Sequence, residues 1–432
     1  MILFNIDNIL LIEYTIYFME MAKEKIVILG AGFGGLYALK SIYQHLKNWR
    51  DFDILIIDRN NYFVFTPLLH EVATGGIDPG DIVFPIRDLA KEGTEHLEAE
   101  VLSVDMLKKS VITSHGEISY DYLVMALGAG TNFFGVSGAA ENTFTLKNIK
   151  DATRLKNHLI HIFDEANKEQ NLERQKDILR IVIIGGGATG VEFAAEIQEF
   201  LKEINKEYSN IPEAAVEFYL IEAGDRLLPI FHPKFSKKAL KILETKGFKI
   251  MFKDPCVQVT PQGIVCASKN SVKSQTVIWT SGVLPSQIVI TPEIERQKGR
   301  IAVQETLNVK DFPEVFILGD QAAFLDKRFG LLPTSAQVAA EQGNFIGENI
   351  NRLISNRPLK KFKYFHKGDL VSLGKWKAFA QIGGSFIRFG GPLAWLIWRF
   401  NYLTQMPGGF KKVRLFFDWL LYLVGKRDIS EI

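Results

Sequence analysis

Two glycine runs carry the residue types most able to do chemistry: GAGFGG at Gly30–Gly35 and GGGATG at Gly185–Gly190. Each spells G-x-G-x-x-G, follows an apolar β-branched strand and opens a helix. This is the form taken by a βαβ turn that cradles a dinucleotide pyrophosphate. The first glycine (Gly30, Gly185) permits the tight turn, and the second (Gly32, Gly187) lets backbone approach phosphate. The third (Gly35, Gly190) lets helix and strand pack closely. A carboxylate ending the next strand can accept hydrogen bonds from both ribose hydroxyls; FDILIID ends at Asp58 and VEFYLIE at Glu222. The interval from Gly190 to Glu222 is longer than the usual one, and a helix from near Thr189 to about Tyr208 fills it. One glycine run could be a plain turn. Two, each with strand, helix and acid in order, require two dinucleotides.

The elements that must position these residues set the fold class: α/β, with two Rossmann-like dinucleotide-binding domains and a C-terminal amphipathic, membrane-associating module. At 432 residues and 47% hydrophobic the chain has ample core. The expected division is an N-terminal extension, 1–21; a first nucleotide domain, 22–150 and 291–355; a polar helical connection, 151–177; a second nucleotide domain, 178–290; and the module, 356–432. A net charge of +2 gives no electrostatic basis for binding nucleic acid. Cys256 and Cys266 lie in one β-rich stretch without metal-ligand spacing, so no metal site is expected and the thiols read as buried filler. The helix after the first fingerprint has no redox cysteine pair, which excludes a flavoprotein disulfide reductase. Residues 1–20 lack the patterns of a secretory signal and of a spanning helix. They read as an over-long start, with an amphipathic membrane contact as the alternative.

Three further stretches end in small or polar residues where backbone can pass close to a cofactor. YDYLVMALGAG contains Gly128, VIWTSGV ends near Gly282, and VFILGDQAAF places Asp320 at a strand terminus, where a carboxylate can reach a ribityl or phosphate oxygen. The segment TSAQVAAEQG opens a helix with Gln337 and Glu341 in its first turns.

With DRNNYFVFTPLLHEVATGGI, IGGGATGVEFAAEI and the tryptophan-rich GGPLAWLIWRFNYL, these motifs cover residues 22–432. Together they resemble the type II NADH:quinone oxidoreductases, single-subunit and non-proton-pumping. The resemblance implies FAD held by Gly30, Ala31, Gly32, Phe33, Gly34, Gly35, Asp58, Arg59, Val101, Gly128, Asp320 and Gln337. It implies NADH held by Gly185, Gly187, Gly190, Glu222 and Gly282, with the carboxylate of Glu222 repelling a 2′-phosphate. Glu192 would handle a proton beside the cofactors, unless it only complements its helix dipole. Gln337 and Glu341 would face a quinone. The family's second glutamine is replaced by Glu341, with Gln342 one position away on another helix face.

FGGPLAWLIWRFNYLTQ and VRLFFDWLLYLVGKR are too short, or too interrupted by Asp418, to span a bilayer, which takes about 20 apolar residues. Flanked by Arg388, Arg399, Lys411, Lys412, Arg414, Lys426 and Arg427, they read as interfacial helices with aromatic anchors, unless the aromatics bury against the protein or a partner. The expected partners are a quinone and a lipid surface, with a homodimer left open. The expected place is the cytoplasmic face of a bacterial plasma membrane, peripheral or monotopic. The alternatives are a sulfide:quinone oxidoreductase, which would need paired cysteines near its flavin, and a flavin-bearing redox sensor or scaffold with little turnover.

Overall fold

The computed structural model describes residues 23–383, 387–425 and 427–431, so the N-terminal extension lies outside the described residues. The chain forms two compact units. The first comprises the chain up to Tyr62, Pro85–Ala129 and Pro285–Tyr364; the second comprises Phe63–Phe84, Gly130–Leu284 and the chain from Phe365 onward.

In the first unit a six-stranded sheet runs Asn308–Val309, Phe312–Ile317, Tyr122–Met125, Lys25–Leu29, Asp53–Asp58, Thr94–Glu98. All neighbours are parallel except the first pair. Ile26, Val27, Ile28 and Leu29 are fully buried, as an unbroken apolar run must be in a sheet covered on both faces. The fingerprint helix Phe33–His45 packs against Ala336–Ile354. Ser41 pins that crossing: its Oγ donates to Asn344 O and accepts from Gly347 N.

In the second unit the parallel order is Phe248–Phe252, Phe218–Glu222, Ile181–Ile184, Thr276–Trp279. Its fingerprint helix is Ala188–Asn205, ending before Tyr208 because Glu207 and Tyr208 close tight turns onto Ile204 and Asn205 instead. The polar connection is two helices, Ile149–Lys168 and Leu172–Leu179. Asn171 accepts from Glu173 N and Arg174 N, satisfying the first orphan donors of the second and starting it afresh.

After the antiparallel strands Gly368–Ser372, Ala378–Ile382 and Ile387–Gly390 come the helices Pro392–Gln405 and Gly409–Val424. Their burial corrects part of the sequence reading. Trp395, Trp398 and Trp419 face inward, and so do Arg399 and Arg427, two of the expected flanking cations. The outward face consists instead of Leu393, Leu396, Phe400, Phe410, Val413, Phe416, Phe417, Leu420 and Leu421. Among the described residues no helix is long and apolar enough to cross a membrane.

The second of these helices is fastened along its length. Lys411 Nζ donates to Gly80 O and Val83 O, Trp419 Nε1 donates to Glu71 Oε2 at 2.8 Å, and Arg414 Nε lies 2.7 Å from Asp81 Oδ1. Asp81 is fully buried, and among the described residues neither of its oxygens has a hydrogen-bond donor in good geometry; Asp418 Oδ2 is in the same position. Burial first, then contact with Asp418, push Asp81 up to about 8. A carboxyl raised in the folded state contributes stability in acid and loses it as pH rises, here between the ordinary carboxylate range and about 8. Asp418→Asn removes the like charge. Its melting temperature is expected to exceed that of the wild type at pH 9 but not at pH 5, by about 2–4 °C per kcal/mol recovered, as read by thermal denaturation at the two pH values.

Candidate functional site

Each fingerprint builds a cradle in the same way. Gly30 and Gly185 turn with φ of +94° and +116°, a region open to glycine at little cost. A Cβ on Gly35 would lie 1.8 Å from Gly30 O, and one on Gly190 would lie 1.9 Å from Gly185 O, so the third glycine is required by contact with the first. The helices begin at Gly32 and Gly187 with no side-chain cap, and a Cβ at either would meet nothing within 4 Å. By contrast, Ile149–Lys168, Leu172–Leu179, Pro233–Thr245 and Ala336–Ile354 are each capped by a side chain. Uncapped N–H donors at a positive helix end, facing open space, suit a diphosphate.

The acids do more than the sequence suggests. Asp58 Oδ2 accepts from Ala31 N at 2.7 Å and Oδ1 from Asn60 N at 2.9 Å. Glu222 Oε2 accepts from Gly186 N and Oε1 from Gly224 N, both at 2.6 Å. Each carboxylate braces its glycine turn; Asp58 Oδ1 also accepts from Asn60 Nδ2 at 3.3 Å, while Asp58 Oδ2 and both oxygens of Glu222 keep a second lone pair for a hydroxyl. Gly186, Asn60 and Gly224 escape sequence reasoning because they contribute backbone N–H, which leaves no mark on residue type.

The remaining first-unit candidates are placed as follows. Phe33 is buried against Tyr37, Gly34 lies close to Ala126, and Arg59 is exposed. Val101 opens the strand Val101–Asp105, and Gly128, at φ +67°, accepts from Ser286 N. Asp320 sits in the turn Gly319–Gln321 and interacts with Arg300. Gln337 Nε2 donates to Glu341 Oε1 at 3.3 Å across one helix turn. Gln342 points inward and accepts from Gly319 N at 2.7 Å, fixing the turn that carries Asp320. Gln321 was missed by the sequence reading; it ties Leu127 N to Ser286 O. In the second unit Gly282 turns at φ +74°, where a Cβ would meet the Phe134 ring at 2.5 Å.

Glu192 lies in a buried charged cluster within the second unit. Its Oε1 accepts from Ser372 N and Trp398 Nε1, both at 3.0 Å. Burial pushes its carboxyl up, and the charge of His70 and these two donors oppose the shift only in part. Its neighbours have cations instead. Glu71 Oε1 lies 3.3 Å from Arg399, whose guanidinium stacks 4.4 Å from the centroids of both Trp395 and Trp419. Glu196 binds Arg427 at 2.6 Å; burial alone would raise this carboxyl, but Arg427, His70 and Arg399 outweigh it and hold it below the usual carboxylate range. Arg427 also donates to Thr74 O, and Asp428 pairs with the buried Lys156 at 2.6 Å.

The family model described as pyridine nucleotide-disulphide oxidoreductase matches residues 24–343. A probable NADH dehydrogenase of Dictyostelium discoideum is 30% identical over 421 residues, covering 94% of this chain and 91% of that protein. A type II NADH:quinone oxidoreductase of Staphylococcus haemolyticus is 30% identical over 363 residues, covering 82% of this chain and 89% of its own. The chain belongs to the type II NADH:quinone oxidoreductases. The solved structure of NDH2 from Plasmodium falciparum in complex with NADH shares its fold, with a TM-score of 0.86 at 22% identity, covering 95% of this chain and 100% of that one.

The enzyme's buried ion pair gives a direct stability test. Arg427→Met leaves Glu196 buried without its cation, a loss of about 3–5 kcal/mol. A carboxyl held low in the folded state contributes stability above its unfolded pKa and loses it as pH falls through the folded value. The deficit, measured by denaturant unfolding, is therefore expected to be largest near neutrality and to shrink in acid.

Proposed function

We propose that the enzyme oxidises NADH held on the second fingerprint and reduces a quinone through FAD held on the first, on a membrane surface and without pumping protons. The observation that carries this reading is the pair of matching cradles, each with a bare helix end and a braced carboxylate. The names of the relatives point the same way: an NADH dehydrogenase and an NADH:quinone oxidoreductase, each matched over most of its length.

In this reading Gly30, Ala31, Gly32, Phe33, Gly34, Gly35, Asp58, Arg59, Val101, Gly128, Asp320 and Gln337 hold FAD, and Gly185, Gly187, Gly190, Glu222 and Gly282 hold NADH. Bound FAD supplies the two-electron chemistry between nicotinamide and quinone. Glu192 handles a proton at its carboxyl, which burial pushes up and whose charged form Ser372 N–H and Trp398 N–H stabilise. Gln337 and Glu341 offer polar contacts to the quinone. The exposed Leu and Phe face of the last two helices, with Arg388, Lys412 and Arg414, seats the protein on an anionic leaflet, the cytoplasmic face of a bacterial membrane. The protein takes up a quinone from that membrane and is open to pairing as a homodimer.

Sulfide chemistry finds no support in the thiols. Cys256 and Cys266 face each other across the strand pair Cys256–Thr260 and Gly263–Cys266; both are buried, and burial pushes Cys266 up to about 12, far from a reactive thiolate.

The test is anaerobic titration of the yellow protein with NADH, NADPH or sulfide, followed by a short-chain quinone. NADH is expected to bleach the flavin rapidly and NADPH slowly, with colour returning on addition of quinone; bleaching by sulfide but not by NADH would sink the assignment. A second measurement addresses Glu222. Glu222→Gln removes both a charged ribose acceptor and the repulsion of a 2′-phosphate. Its kcat/KM for NADH is expected to fall about tenfold, a loss on the scale of one charged hydrogen bond, while the preference over NADPH narrows; unchanged values for both would place the ribose elsewhere.

A further inference from the structure

The helix Ala336–Ile354 carries a side chain to which neither the fingerprints nor the proposed roles above assign a task. Gln342 is only 1% exposed. Its Oε1 accepts from Gly319 N at 2.7 Å, while its Nε2, shut off from solvent, has no hydrogen-bond partner among the described residues. A buried N–H left unpaired is costly, so its retention needs a reason. Methionine would fill the same space without that cost but could not accept from Gly319 N. Glutamate could accept, but only by burying a charge or a proton. What glutamine supplies here is an uncharged acceptor for one backbone N–H.

That N–H belongs to the turn Gly319–Gln321, just past the carboxyl end of the strand Phe312–Ile317, the end of a doubly wound sheet at which ligands bind. Gly319 turns at φ +63°, and a Cβ on it would lie 3.1 Å from Ala339 Cβ, one helix turn before Gln342. The other side of the turn is held by the buried Gln321, whose Oε1 accepts from Leu127 N at 2.9 Å and whose Nε2 donates to Ser286 O at 3.4 Å. Ser286 N donates in turn to Gly128 O at 3.0 Å, and Ser286 Oγ to Leu127 O at 3.1 Å. Asp320 therefore lies between two residues that are each fixed by a buried amide. The helix bearing Gln342 is also held in register. A Cβ on Gly343 would lie 2.5 Å from Gly34 O, and one on Gly347 would lie 2.2 Å from Ser41 O, so both glycines are pressed onto the fingerprint helix Phe33–His45. Two adjacent residues thus touch the two parts of one cradle: Gly343 meets the fingerprint, and Gln342 meets the turn of Asp320. All of these residues belong to the first unit.

We propose that Gln342 is a positioning residue for FAD: through its bond to Gly319 N it sets where the Asp320 carboxylate stands relative to the glycine fingerprint. This rests on the reading above that Asp320 holds FAD. Gln342 acts through Asp320 and does not itself touch the cofactor, since its amide nitrogen is closed off by protein. A carboxylate placed in advance loses little freedom when the cofactor binds, so the hydrogen bond to Gly319 N strengthens the hold on FAD without a direct contact.

The test uses full-length, FAD-loaded protein in a dilution series, with released flavin followed by its fluorescence. Gln342→Met is expected to raise the FAD dissociation constant about tenfold, the scale of one hydrogen bond. In an Asp320→Ala background the same change is expected to add little, because the turn that Gln342 holds no longer carries a carboxylate. Gln342→Glu, which keeps an oxygen for Gly319 N, is expected to hold FAD more tightly than Gln342→Met. The visible circular dichroism of the bound flavin is expected to change in Gln342→Met in the direction seen in Asp320→Ala, a signature that general loosening of the helix would not give. The proposal is overturned if Gln342→Met holds FAD as tightly as the wild type, if it loses affinity equally with and without the Asp320 carboxylate, or if Gln342→Glu is no better than Gln342→Met. A wild type that holds FAD but is neither reduced by NADH nor reoxidised by quinone defeats the proposed function instead, and the FAD measurements still decide the role of Gln342.

Discussion

Both nucleotide cradles depend on one close approach, in which the carbonyl oxygen of the first glycine occupies the space where the third residue's side chain would begin. Gly35 and Gly190 meet Gly30 O and Gly185 O at distances no Cβ could share. That contact brings the helix against its strand and points the bare N-terminus of the helix at the turn. The carboxylates of Asp58 and Glu222 then bridge from the turn to the residue two beyond themselves. The same device appears in both units, on strands with different sequences. Backbone geometry, and not any particular side-chain packing, is what makes the site.

A second constraint acts within the second unit, where charge is buried in quantity. Carboxylates in an apolar interior must be paired or neutral. Glu71 and Glu196 are paired with Arg399 and Arg427, and the Arg399 guanidinium also stacks on the indoles of Trp395 and Trp419. Glu192 has no guanidinium among the described residues, and burial pushes its carboxyl up. The C-terminal segment thus does two jobs with opposite faces. Its inward tryptophans and arginines complete a charged interior, and its outward leucines and phenylalanines remain uncovered.

How much of this could be read from residue order varies by element. The two parallel sheets follow from short apolar runs between a glycine fingerprint and an acid, because strand period and turn chemistry are local. The helix Ile149–Lys168 and its successor read as one polar stretch, since the cap at Asn171 competes with continued helix over only a few residues. The tryptophans of GGPLAWLIWRFNYL signal an amphipathic segment but not which side faces lipid. The indoles are drawn inward by N–H donation to Glu192 and Glu71, acceptors 206 and 348 residues away in sequence. Gln342 reads as a displaced helix-face residue and proves to be the acceptor for Gly319 N, a partner 23 positions earlier.

The sequence by itself determined the two βαβ turns, the acids that close them and the family to which the chain belongs, because each is set by residue type at short spacing. Only the tertiary structure decided what those residues touch. It turned the carboxylates of Asp58 and Glu222 onto backbone N–H groups, drew Arg399 and Arg427 into the interior, and set His70 edge-on to the indole of Trp398. Burial and charge pairing depend on which distant segments are brought together, and no local pattern encodes that.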